Sequence, residues 1–306
     1  MENTYDLIIV GAGPAGLTAS LYAARYKIKH LVIGDPFASM ICESHLLENF
    51  PGFEKISGLE FITKLSQQVK NYGIEINSAR VIQLTKKDLF QVKLNTGQEF
   101  FAQSLIIATG TERKKLTIPG EKEFLGRGVS YCATCDAPLF KGKTVAVIGG
   151  ANSALMAADL TSQYAQKVYL IYRGKEFRAE PIWQERIKEN KKIISIFERN
   201  VIEIKGEEGV KEIILDQEYE NKKSLKVDGV IIEIGAEPVL GIIKDLGVEV
   251  DEQGSIKIEK DGSTNIAGIF AAGDVTNGSN KFRQVITACA EGAIAALGVY
   301  NYLKKK

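Results

Sequence analysis

Two cysteines separated by two residues, Cys132-Ala133-Thr134-Cys135, followed at once by Asp136, are the residues of this sequence best suited to do chemistry. Such a pair near the start of a helix closes a reducible disulfide, and a helix N-terminus lowers a thiol pKa toward the working range. Asp136 is placed to give or take a proton at a thiol during exchange, provided that burial raises its pKa. The same spacing also serves as half of a zinc site or as two idle core thiols. The chain has 4 cysteines and 2 histidines, His30 and His45. Neither histidine is near the pair in sequence and no second Cys-x-x-Cys exists, so a metal site lacks ligands and none is expected. Dithiol exchange is the expected chemistry, and Cys42 and Cys289 read as small buried apolar residues.

Two glycine turns form a second constellation. Gly11-Ala12-Gly13-Pro14-Ala15-Gly16 follows the apolar run 5–10 and precedes a helical stretch, Leu17 to Tyr26. Gly11 permits the tight turn, Gly13 lets backbone approach a pyrophosphate, and Gly16 lets helix and strand pack closely, while the helix N-terminus offers amide donors. Asp35, 24 positions after Gly11, is placed to bond a ribose 2′-hydroxyl and to repel a 2′-phosphate. A dinucleotide such as FAD or NAD is expected there.

Gly149-Gly150-Ala151-Asn152-Ser153-Ala154 repeats the pattern after the run 144–148, with a helix expected from Leu155 to about Tyr164. At the position equivalent to Asp35 stands Arg173, with Lys175 and Arg178 close behind. This charge reversal favours a 2′-phosphate and hence NADP(H), unless the cations simply coat an exposed helix start. Ala151 occupies the place of the middle glycine, where a methyl group works against the closest approach of a pyrophosphate.

These residues require two βαβ units, each completed by a second short strand, Leu31-Val32-Ile33 in one and Val168 to Ile171 in the other. The fold expected is α/β, with two Rossmann-like, three-layer dinucleotide-binding domains. The small-residue strand ends Ser104 to Gly110 and Gly268 to Asp274 are of the kind that packs beside a bound dinucleotide, and they lie far apart in the chain. One domain is therefore expected to be discontinuous, residues 1–113 and 244–306, with residues 114–243 inserted into it. The insertion is expected to be entered near Ile118-Pro119-Gly120 and left near Gly235-Ala236-Glu237-Pro238, which carry turn residues suited to hinges.

Composition narrows the field further. Lys+Arg total 39 and Asp+Glu 38, a net charge of +1, so no global field favours nucleic acid or a membrane surface. No uninterrupted apolar run reaches the ~18–20 residues that span a bilayer, and the first residues are polar and acidic rather than those of a signal peptide. A soluble, cytoplasmic protein with no nucleic-acid or membrane partner is expected.

From Tyr5 to about Tyr302 the chain resembles the low-molecular-weight, bacterial-type thioredoxin reductases. The resemblance rests on Gly11 to Gly16, Glu48-Asn-Phe-Pro-Gly52, Cys132 to Asp136, Arg173 to Ala179, Ala272-Gly-Asp-Val275 and Arg283-Gln284, all in the family's order. It implies FAD in the discontinuous domain and the dithiol in the nicotinamide domain, with electrons passing from NADPH through FAD and the dithiol to the disulfide of a thioredoxin-like protein. It further implies that Gly273 and Asp274 contact the ribityl and phosphate portion, that Arg283, Gln284 and Val285 lie by the isoalloxazine, and that Asn49 approaches the flavin. Cys135 is the cysteine implied to lie nearest the flavin and Cys132 the more accessible one. A homodimer, and rotation of one domain about the two linkers, are likewise implied.

The chain departs from the family pattern in four places, one of them Ala151 in place of a glycine. Ala38-Ser39-Met40 stands where Gly-Gly-Gln is common, Met156 and Ala157 where acidic residues are usual, and Tyr172-Arg173-Gly174 where His-Arg-Arg is usual. The last two changes, with Ala151, cluster on the nicotinamide ligand. A ferredoxin or another non-nicotinamide donor is therefore the alternative, and a flavin-dependent dithiol oxidase on the same scaffold a weaker one.

Overall fold

Strand Thr4–Val10 owes its place to two apolar faces: Leu7 and Ile9 point into one core, Ile8 and Val10 into another. A strand buried on both sides belongs inside a parallel sheet. It pairs in parallel with His30–Ile33 on one side and Glu99–Ile107 on the other. The computed structural model describes residues 3–305; Met1, Glu2 and Lys306, which the expected domain limits include, lie outside the described residues.

The seven-stranded sheet runs, from one edge, Ile76–Asn77, His30–Ile33, Thr4–Val10, Glu99–Ile107, Phe90–Leu94 and Val81–Lys86, and Ile269–Ala271 also pairs with Glu99–Ile107. Helix Pro14–Arg25 connects the first two strands in sequence, with Pro14 at its first turn, where a missing N–H costs nothing. Helix Val285–Lys304 packs along it, so closely that a side chain at Gly292 would collide with the carbonyl of Ala15. By length and hydropathy this last helix is apolar enough to cross a membrane, although Glu291 and other polar residues interrupt its apolar run. One face, Ala288, Gly292, Ala295, Ala296 and Val299, is buried in the core, while Ile286, Ile294 and Leu297 are exposed.

The second unit is built on a five-stranded parallel sheet in the order Ile193–Phe197, Lys167–Tyr172, Thr144–Ile148, Gly229–Ile232, Val129–Ser130. Helix Asn152–Tyr164 makes the crossover from Thr144–Ile148 to Lys167–Tyr172. A three-stranded antiparallel sheet, Val201–Gly206, Val210–Tyr219 and Lys222–Lys226, shares a core with the parallel sheet through Ile204, Ile213 and Leu215 against Ala146, Ile148 and Ile171. The fold is thus α/β with two dinucleotide-binding units.

The units divide between Glu112 and Arg113 and again between Ala236 and Glu237. The exit expected near Gly235-Ala236-Glu237-Pro238 lies at the second division, whereas the expected entry and the expected limit at residue 243 require correction. Pro119 and Gly120 are not a crossing: Pro119 accepts a backbone bond from Ile204 at 3.0 Å and Gly120 packs against the Ile204 carbonyl, which sets them inside the second unit. Residues 237–243 are not part of the insertion, because Val239 donates to Gly110 and Ile243 is buried in the core of the first unit. The crossings themselves are Thr111–Arg113 and Ala236–Pro238, paired as a two-stranded sheet.

Candidate functional site

In the first unit, Gly11 adopts φ 114°, and a side chain there would collide with the carbonyl of Ala108. Gly16 is equally constrained by the carbonyl of Gly11. Gly13 differs: a Cβ there would meet nothing nearer than Ser39 Cβ at 3.7 Å, so its missing side chain leaves open space beside the backbone. Gly13 is also the N-cap of helix Pro14–Arg25 and has no capping side chain. Free amides and open backbone suit a pyrophosphate.

Asp35 is exposed at the end of strand His30–Ile33, where its Oδ1 accepts from the Phe37 amide at 2.9 Å. Gly273, with φ 82°, brings the second strand end against this turn, since a Cβ on it would lie 2.8 Å from Ala15 Cβ. Gly110 has φ 64° and its carbonyl accepts from Val239. Asn49 and Gln284 meet at 3.0 Å, and Gln284 caps the helix that begins at Val285. Burial pushes the Asp274 carboxyl up to about 6, with Arg283 drawing it down and Glu291 pushing it up.

The second unit holds a different arrangement. Gly149 has φ 146° and lies against the carbonyl of Glu233. Gly150 does not open onto free space: the Tyr172 ring rests on it and on Gly174, so that a Cβ at Gly150 would strike the ring. Ala151 is the uncapped N-cap of helix Asn152–Tyr164; Ser153 is exposed and Ala154 buried. The Asn152 side chain accepts from the Glu180 amide at 2.8 Å. Arg173, Lys175 and Arg178 are all exposed, and the Arg178 guanidinium lies 5.9 Å from the centre of the Tyr172 ring while its amide donates to Gly150 O at 2.7 Å. Cations therefore stand beside the turn, as a phosphate reader requires, but the turn is narrower than its counterpart in the first unit.

The dithiol belongs to this second unit. Cys132 and Cys135 form a disulfide, with Cα atoms 5.3 Å apart. Cys132 is the N-cap of helix Ala133–Asp136 and its sulfur accepts from the Cys135 amide at 3.1 Å. Cys135 is exposed and Cys132 half-buried. Asp136 is half-buried, and its amide donates to Cys132 O. Cys42 and Cys289 are half-buried rather than buried, with free thiols that burial pushes up in pKa. His30 is buried, bonded to Ser20 and the Ile28 carbonyl, and kept neutral by burial.

Sequence reasoning passed over Glu291 and Tyr172 as site residues. Glu291 is buried and accepts from the Gly273 amide, Thr276 Oγ1 and Ser279 Oγ at 2.7–2.8 Å, tying down the Gly273–Asp274 turn. A glutamate in the most apolar helix was the available signal. Tyr172 was noted only as a departure; two flanking glycines at 150 and 174 were the sign that a ring needed room.

The model of the pyridine nucleotide-disulphide oxidoreductases matches residues 5–292. The chain is 38% identical to the thioredoxin reductase of Bacillus subtilis (strain 168), over 99% of this chain and 96% of that protein. Among solved structures, thioredoxin reductase of Lactococcus lactis is similar with TM-score 0.93 and 36% identity, covering 99% of this chain and 100% of that one. A ferredoxin-flavin thioredoxin reductase from Clostridium acetobutylicum is similar with TM-score 0.54 and 33% identity, covering 99% and 98%.

Proposed function

The chain belongs to the thioredoxin reductases, within the pyridine nucleotide-disulphide oxidoreductase family, and from that premise we propose that it reduces the disulfide of a thioredoxin-like protein with electrons from NADPH, through FAD and the Cys132/Cys135 dithiol. The observation that carries the reading is the Cys132–Cys135 disulfide capping its own short helix.

In this reading Gly11, Gly13, Pro14, Ala15 and Gly16 hold the FAD pyrophosphate and Asp35 its ribose. Gly110, Gly273 and Asp274 line the middle of the cofactor, and Asn49, Arg283, Gln284 and Val285 lie by its ring. FAD, when bound, supplies a carrier that takes two electrons from one donor and passes two to a disulfide. Gly149, Gly150, Asn152, Ser153 and Ala154 receive the NADPH phosphates at a helix N-terminus, and Arg173, Lys175 and Arg178 read the 2′-phosphate.

The protein's own chemistry is thiol exchange. One thiolate of the reduced pair attacks the partner disulfide and forms a mixed disulfide; the second thiolate displaces the partner thiolate and restores Cys132–Cys135. Two electrons leave as the partner takes up two protons, and Asp136 is the group within the segment placed to deliver one of them. A homodimer in the cytoplasm completes the proposal.

A second reading, a ferredoxin or other non-nicotinamide donor, is favoured by the Tyr172 ring on Gly150 and by Ala151. Anaerobic stopped-flow of the flavoprotein separates the two. Rapid bleaching of the flavin by NADPH and slow bleaching by NADH is the expected result. Bleaching by neither, with dithionite still effective, assigns the donor to the second reading.

A further inference from the structure

Tyr131 stands immediately before the redox cysteine and Thr117 lies 14 positions upstream, yet both are held by one side chain. Glu121 is buried. Its Oε1 accepts from the Leu116 amide at 2.8 Å and from the Tyr131 hydroxyl at 2.5 Å. Its Oε2 accepts from the Thr117 amide at 2.5 Å and from the Ile118 amide at 3.4 Å. Three backbone donors and a phenol thus converge on a single carboxylate, a charge-assisted set stronger than neutral hydrogen bonds.

Thr117 makes this costly to rearrange. It sits at φ 61°, the left-handed region that a β-branched residue rarely adopts. Such a conformation persists only where the surroundings impose it, and here both neighbours of Thr117, as well as its own amide, donate to Glu121. The phenol of Tyr131 is bound on the same carboxylate, and burial together with Glu121 pushes that phenol far above its ordinary pKa, so it remains a donor. On the other flank, the Cys132 amide donates to Oγ of buried Ser130 at 3.0 Å.

We propose that Glu121 is a positioning residue for the dithiol: by clasping the strained Thr117 turn with both carboxylate oxygens and Tyr131 with one of them, it holds Cys132 where it closes on Cys135. The role rests on the assignment of Cys132/Cys135 as the working pair. Holding one thiol in place raises its effective concentration toward the other. Glu121 and Tyr131 therefore favour the disulfide over the dithiol, and loosening either one favours the dithiol.

The test is the equilibrium of the flavoprotein with reduced and oxidised dithiothreitol, in which reduction of Cys132–Cys135 is matched by closure of the dithiothreitol disulfide. The Cys132/Cys135 peptide is trapped with iodoacetamide and counted by mass spectrometry. This readout requires neither NADPH nor a thioredoxin, so it stands even if the donor or the protein substrate is other than proposed.

Tyr131→Phe, which keeps the ring and all three amide bonds, is expected to move the equilibrium toward dithiol by about threefold to tenfold. Glu121→Gln is expected to do the same, and the double variant to go no further, because both act through one contact. Thr117→Gly in the Glu121→Gln background relieves the backbone and is expected to recover thermal stability while the equilibrium stays shifted. An unchanged equilibrium in Tyr131→Phe overturns the proposal. So does a shift in Glu121→Gln that disappears when Thr117→Gly restores stability, since Glu121 would then serve the turn alone.

Discussion

The side-chain amide of Asn49 donates to Oε1 of Gln284 at 3.0 Å, joining segments 235 positions apart in the chain. Gln284 is at the same time the N-cap of helix Val285–Lys304, in a reciprocal capping arrangement with Thr287. The bond thus ties the Glu48 to Gly52 segment to the start of the core helix. Asn49→Ala leaves Gln284 without this donor, and a lost neutral hydrogen bond of about 0.5–1.5 kcal/mol corresponds to a roughly twofold to tenfold weaker hold on the flavin. Titration of the flavin-stripped protein with FAD, read by flavin fluorescence, measures it.

Cys135→Ser and Cys132→Ser each leave one thiol, which can form a mixed disulfide but cannot resolve it internally. Disulfide reduction should fall by about a hundredfold or more in either variant, and by no more in the double, because the pair acts as a unit. Flavin content should stay at the wild-type level, since all proposed FAD contacts lie in the other unit. Turnover of a thioredoxin disulfide and the 450 nm absorbance of the purified variants check both halves.

The Asp274 carboxyl, raised by burial to about 6, links stability to pH in the flavin-free protein. The folded state binds a proton here more tightly than the unfolded state, whose carboxyl titrates near ~3.9. Stability at this site is therefore fully present below about pH 4 and is lost as pH rises through about 6, a cost on the order of 2–3 kcal/mol at pH 8. Asp274→Asn should remove the cost, so that thermal midpoints of the flavin-stripped variant and parent diverge from pH 4 to pH 7, the variant being the more stable at the upper end.

Arg173→Ala and Arg178→Ala test the phosphate reader. Loss of one charge-assisted contact of about 1.5–3 kcal/mol raises the NADPH concentration for half-maximal flavin bleaching by roughly tenfold to a hundredfold. The NADH response should hardly change, because NADH carries no 2′-phosphate. Equal losses with both nucleotides would sink the assignment.

Gly150 and Tyr172 form a matched pair, since the ring lies where a Cβ would go. Gly150→Ala should destabilise the protein by about 1–3 kcal/mol through overpacking. In the Tyr172→Ala background the same change should cost far less, a coupling that denaturant unfolding of the four proteins resolves.

Both glycine turns and the dithiol were legible because each is local. A strand, a tight turn and a helix N-terminus occupy a dozen consecutive residues, so residue type and spacing reveal the turns at Gly11 to Gly16 and Gly149 to Ala154. The entry linker and the far limit of the insertion were misplaced for the opposite reason. Pro119-Gly120 has the composition of a crossing, and only the strand Val201–Gly206 packed against it shows that it is interior. In the same way, residues 237–243 read as insertion until Ile243 is found in the core beside Ile256 and Leu84.

By itself, the sequence determined that this chain has two strand–glycine-turn–helix units and a Cys-x-x-Cys pair, because backbone sterics and thiol chemistry act over a few residues. Tertiary structure alone decided that Glu121 gathers Thr117 and Tyr131, that Glu291 gathers Gly273 and Ser279, and that Tyr172 fills the space above Gly150. A buried carboxylate must find donors wherever the fold brings them, and a ring must find room. Glu291 in an apolar helix and the glycines at 150 and 174 mark such needs in the sequence, but the partners that meet them are named only by the fold.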